Sequence, residues 1–141
     1  MSHSIDTHDQ FLRNALRANG VFSIISGVAF LVAGRPLASW MGLGEALILQ
    51  GVGVSLLVFA GGLFFNAARS SVNRTEAWTA VALDVAWVLG SFVLIAFQVL
   101  TTAGNWAVAV VADLVLVFAI LQGIGLRLSA HEKASVRKHA R

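Results

Sequence analysis

Residues 77–99 read AWTAVALDVAWVLGSFVLIAFQV, an unbroken apolar run with one acid, Asp84, set inside it. Wound as a helix rising about 1.5 Å per residue, the run matches the roughly 30 Å hydrocarbon core of a bilayer. Its apolar residues are continuous instead of alternating, which argues against a strand. Three further runs of this kind occupy about 19–34, 46–68 and 106–128. The sequence therefore predicts an all-α integral membrane protein, a single domain over 1–141 built as an antiparallel four-transmembrane-helix bundle.

The composition points the same way. Hydrophobic residues make up 57% of the 141 and charged residues only 12%, with a mean hydropathy of +0.80. A soluble domain carries roughly 25% charged residues. One small globule cannot hide four such runs, whereas a bilayer supplies an apolar solvent for them.

The connections are short. Arg35-Pro36 is expected to stop the first helix, with a loop running on through Ser39, Trp40 and Gly44. Arg69 to Arg74 and Thr101 to Asn105 form the other two. Residues 11–18, expected to extend the first span at its start, set Phe11, Leu12, Ala15 and Leu16 beside Arg13 and Arg17, the pattern of an interfacial helix leading into it. Trp40, Trp78 and Trp106 fall at the expected headgroup levels. The basic tail over 129–141 reads as a solvated topology determinant that also suits a helix along an anionic leaflet.

Orientation follows from charge. Arg13, Arg17, Arg69, Arg74, Arg127, Lys133, Arg137, Lys138 and Arg141 fall on one side of the four-span arrangement, and Arg35 alone on the other. The positive-inside rule puts the crowded side, with both termini, in the cytoplasm of a cell (inner) membrane. Met1 to Gln10 holds no Lys or Arg, so the first run reads as a retained helix instead of a signal peptide.

Several function classes drop out. There is no cysteine, which removes disulfides and thiolate chemistry. His3, His8, His131 and His139 all lie outside the apolar runs, so no intramembrane haem or metal site is expected within one chain. No phosphate loop, Ser–His arrangement or metal-ligand cluster can be drawn, so no catalytic residue or cofactor is assigned. The net charge of +3 belongs to helix ends, so the expected partner is the lipid bilayer and not nucleic acid.

The polar positions inside the runs are the candidate site. Asp84 and Asp113 interrupt the third and fourth spans, and a carboxylate at mid-membrane is a functional hypothesis by default. Counted from opposite ends of neighbouring antiparallel helices, the two fall about one turn apart in depth and are expected to face each other. Two such carboxyls rarely ionise together, and a shared proton would suit a relay, a cation site or a static clamp. Arg17 or Arg127, snorkelling inward, is the alternative counter-charge.

Asp84, Trp87, Ser91 and Gln98 recur at helical spacing and predict one polar stripe on the third helix. Asn19, Ser23 and Ser26 make a shorter one on the first, and Gln50 and Gln122 stand as isolated amides. The plainer role for all of them is interhelical hydrogen bonding. Gly51 with Ser55, and Ala119 with Gly123, are small-xxx-small pairs able to seat a neighbouring helix. Leu57 to Ala60 repeats as Leu116 to Ala119, a faint hint of duplication.

Three readings follow. An oligomeric proton, cation or small-solute permeation or transport protein using the two carboxyls is marginally favoured. A non-catalytic accessory or scaffold subunit of a larger membrane complex is the alternative. A membrane-embedded enzyme or lipid-ligand binder is the third. A chain this small is expected to work as a homo-oligomer or within a larger assembly.

Overall fold

Arg35-Pro36, expected to stop the first helix and lead into a loop, instead lies in the first turn of a new helix. A computed structural model of the protein describes residues 2–139. Met1, Ala140 and Arg141, and the side chains of residues 2–6 and of Glu132, Lys133 and Val136, lie outside the described set, and with them the charges of Lys133 and Arg141. The described residues form α1 (Ser2–Val32), α2 (Gly34–Met41), α3 (Ala46–Ala68), α4 (Arg74–Ala96) and α5 (Thr102–His139). Four of these are long and apolar enough to cross a membrane, over Thr7–Val32, Ala46–Ala68, Arg74–Ala96 and Thr102–His131.

Pro36 sits in the first turn of α2, where a missing N–H breaks no helical bond. The short helix buries Gly34, Ala38 and Met41 and exposes Arg35, Ser39 and Trp40. It stops at Gly42, whose φ of 80° only glycine adopts cheaply. Leu43 N–H then bonds back to the Ala38 carbonyl at 2.8 Å, which closes the last turn. Residues 11–18, expected to extend the first span, are a continuous part of α1, with Leu12, Ala15 and Leu16 in the core instead of at an interface. No glycine or proline breaks the segment until Gly20, which is itself buried against the Phe64 ring.

α4 begins at Asn73, whose side chain accepts from the N–H groups of Thr75 and Glu76 at 3.0 and 3.3 Å. It ends at Ala96, three residues before the expected limit. Gln98 there takes a left-handed φ of 50°, and Val99 N–H reaches back to the Leu94 carbonyl. α5 opens on Thr101, whose hydroxyl accepts from Gly104 N–H at 3.0 Å and donates to the Trp40 carbonyl at 2.9 Å. It then runs unbroken through the basic tail as far as His139.

α1 is the hub. It packs along α3 and α5, α4 packs along α5, and α3 and α4 barely touch. The α1–α3 contact is a backbone contact. A Cβ on Gly53 would lie 2.8 Å from the Gly27 carbonyl oxygen, and one on Gly27 would lie 2.9 Å from that of Gly53. The Gly51–Ser55 pair faces away from this contact, with both residues exposed.

One end of the assembly is sealed by Leu12, Leu16, Leu63, Ala67, Ala77, Ala80 and Leu126. The arginines gather at that end and bind backbone. The Arg13 guanidinium donates to the carbonyls of Ala67 and Arg69 at 2.6 Å and of Ser70 at 2.9 Å. Arg74 donates to the Leu126 carbonyl at 2.6 Å. The three carbonyls that Arg13 meets lie at or beyond the end of α3 and lack an intrahelical partner, so this cation satisfies groups the fold would otherwise strand.

Candidate functional site

Because α3 and α4 part company, the inner faces of the long helices enclose a cleft instead of a filled core. It holds two adjoining cavities, of about 430 and 820 Å³. Phe30, Val52, Leu83, Trp87 and Val111 line both. The larger reaches toward α2 and is bounded there by Leu37, Trp40 and Met41. The smaller ends on Asn19, Ser23 and Asp84. Ligand sites commonly have volumes of roughly 300–1,000 Å³ and mostly apolar walls with few polar groups, and these cavities fit that description.

Asp84 is held there by the period of α4, which buries Ala77, Ala80, Asp84, Val88 and Ser91 along one face. Its Oδ2 accepts from Asn19 Nδ2 of α1 at 2.7 Å and from Gln122 Nε2 of α5 at 3.3 Å. Ser23 Oγ donates to Asn19 Oδ1 at 3.5 Å, extending the chain by one long link. Three helices are thereby tied through one carboxyl. No basic side chain joins it among the described residues, and Arg17 and Arg127 are both exposed.

The network is incomplete. Gln122 is 0% exposed, and its Oε1 has no hydrogen-bond partner. Burying a carboxyl costs stability unless hydrogen bonds offset it, and stranding a buried acceptor costs about 1–3 kcal/mol more. A buried polar group left in this state calls for an explanation beyond packing.

The expected pair of facing acids is not formed. Asp113 lies nine residues before Gln122, and at about 100° per residue that is half a turn off the buried face. Gln122 faces inward and Asp113 lies exposed, with no hydrogen bond or ion pair to any described residue. The rest of the candidate list divides. Trp87 lines both cavities, Ser26 lines the smaller and Ser91 the larger, although the Ser91 hydroxyl bonds within its own helix to the Trp87 carbonyl at 2.8 Å. Gln98 leaves the stripe because α4 has already ended, and it is exposed. Gln50 packs its stem against Gly34 instead of entering the site.

Gln122, an isolated amide by its spacing, is one of the two donors to Asp84. Its signal was the stripe Ala112, Val115, Ala119, Gln122, Leu126 and Ser129, all of them buried. Nothing in the sequence pattern singles out Asn66. It is buried and clasps Asn73 from both sides, accepting its N–H at 2.7 Å and donating to its carbonyl at 3.0 Å.

No protein-family model matches the chain, nor does any curated protein or solved structure.

Proposed function

We propose that this chain is an integral membrane protein with four antiparallel spans and both termini cytoplasmic. In this reading it binds an elongated apolar molecule, a long acyl or prenyl chain, with a small hydroxyl or amine tip that meets Asp84. The observation that carries the proposal is the incompletely satisfied carboxyl–amide cluster of Asp84, Asn19 and Gln122 at the inner end of an apolar cleft. The gap between α3 and α4 is the lateral route by which a membrane-dissolved molecule would enter. The arginine-rich end, sealed by Leu12, Leu63 and Leu126, would be the cytoplasmic one, closed to water and ions.

Binding fits these walls better than permeation does, because a conducting path needs polar groups along its whole length. The test is photolabelling in membranes with a clickable, diazirine-bearing long-chain alcohol. Label should concentrate on cavity-lining stretches of α3 and α4, around Val52 and Trp87. It should fall when the cleft is filled by Gly90→Phe, a position with open space around it on the wall of the larger cavity. Label spread evenly over outward faces, unchanged by that substitution, would refute the reading. Permeation remains the second reading, favoured by the carboxyl's place on the cavity wall. It predicts proton flux in proteoliposomes that disappears with Asp84→Asn.

A further inference from the structure

α5 carries two stripes of the same period on opposite faces. The buried one is described above. The other is Trp106, Val110, Asp113, Val117, Ile120 and Ile124, at spacings of four and three in strict alternation. Its apolar members are 45–71% exposed, and Asp113, also exposed, stands inside it. A period of 3.5 residues is what a helix needs to keep one seam against a partner helix over several turns.

Asp113 says what covers this face. If α5 spans the membrane as proposed above, the carboxyl lies among lipid chains that offer no hydrogen bond. Among the described residues its own chain offers none either. Asp113 stands on the outward face of α5, half a turn from the buried Gln122 and away from α1 and α4. The mate must therefore come from another molecule, at the same depth.

We propose that the mate is a second copy of this chain, joined α5 to α5 about a two-fold axis running along the helices, with the two Asp113 carboxyls hydrogen-bonded to each other. Such an axis sets each residue of the stripe against itself, so the depths match without further design. Both copies have the same orientation, because the same end of each is basic. Two carboxyls sharing one proton supply one donor and one acceptor, which makes the pair self-sufficient. A single polar residue inside an apolar seam is also the device that fixes register and restricts assembly to two strands. The cleft between α3 and α4 plays no part and stays open in the dimer.

The chain has no cysteine, which allows a direct test. Val110→Cys, Val117→Cys and Ile120→Cys are oxidised in native membranes beside Leu114→Cys, which is exposed but off the seam. Disulfide-linked dimers are expected at the three seam positions and not at the control. Single-molecule photobleaching of diluted protein in liposomes then compares Asp113→Leu, which adds apolar surface and so suits lipid, with Asp113→Asn. Leucine should weaken dimerisation about tenfold, and asparagine, able to pair amide to amide, should largely retain it. Equal linkage at Leu114→Cys, no linkage at the seam, linkage to a different polypeptide, or dimers indifferent to Asp113→Leu would each overturn the proposal. Resistance to alkaline carbonate extraction, measured in parallel, separates failure of the dimer from failure of the membrane reading.

Discussion

Replacing Gly53 by alanine adds one methyl group at the place where α1 and α3 meet backbone to backbone. The added carbon would lie 2.8 Å from the Gly27 carbonyl oxygen and 3.2 Å from both the Leu31 Cγ and the Phe30 Cβ. A relaxed carbon–oxygen contact needs about 3.3 Å or more, so the helices must separate by about half an ångström. The oxygen belongs to backbone and cannot rotate away, so the strain spreads along the whole α1–α3 contact. Overpacking of this kind costs about 1–3 kcal/mol. Gly61→Ala and Gly62→Ala, on the same helix with nothing within 4 Å, meet no obstacle and gain helix propensity of up to about 1 kcal/mol. The two kinds of glycine should therefore shift stability in opposite directions, read as the midpoint of reversible unfolding in mixed micelles. Gly27→Ala should resemble Gly53→Ala. The double variant should cost less than the two together, since helices parted for one methyl group have room for the other. A Gly53→Ala protein as stable as Gly62→Ala would refute the reasoning.

Asp84→Leu strands two buried amide donors, Asn19 Nδ2 and Gln122 Nε2, and should destabilise by about 1–3 kcal/mol, whereas Asp84→Asn keeps an acceptor and should cost less than about 1 kcal/mol. The same unfolding midpoint checks this, and equal losses would mean that the hydrogen bonds contribute nothing. Arg13→Ala removes the donors on three carbonyls at and beyond the end of α3 and should cost about 1–2 kcal/mol, with Arg13→Lys restoring only part because an ammonium lacks the fork. Proteolysis of the 69–73 turn should quicken in both variants. Asn73→Ala deletes the cap of α4 and the grip of Asn66's partner on Glu76, an expected loss of about 1 kcal/mol visible as faster amide exchange in the first turn of α4.

The helices themselves were largely legible, and the reason is length. The run read over 46–68 coincides with α3, because a continuous apolar stretch bounded by polar residues leaves few other solutions. Boundaries set by local chemistry were harder. α1 ends at Val32 and α2 opens at Gly34 with Pro36 in its first turn, and a proline suits the start of a helix as well as its stop. Gln98 gave no warning that it would adopt a left-handed conformation, since glycine is the usual occupant there. Within the site, the stripe of Asp84, Trp87 and Ser91 was readable from its period, because a polar group in an apolar helix needs a protein surface to face. Its partner on α5 was not, and the reason lies in α5 itself. Both faces of that helix show the same period and each sets a polar side chain among apolar ones, Gln122 on one and Asp113 on the other. No rule of spacing says which of them turns inward.

That ambiguity has a physical resolution in the packing. The face that turned inward bears the small residues Ala112, Ala119, Gly125 and Ser129, and these let α1 and α4 approach closely, with Leu12 seated about Gly125. The other face bears Trp106, Val110, Val117 and Ile120, too bulky for so close an approach. Side-chain size chose the face, and the polar residues followed. Gln122 thus reached Asp84 because its small neighbours brought the helices together. Asp113 was carried outward by bulky neighbours that suit a helix pair at wider spacing. On this argument the two polar positions of α5 differ in what they depend on. Enlarging Ala119 to leucine should push α5 off α1 and break the Asp84 cluster while leaving the outer stripe able to pair. A linked dimer at Val117→Cys that survives Ala119→Leu, in a protein whose cleft no longer takes label, is the combination expected. Loss of both together would mean that the inner packing and the outer seam are not separable.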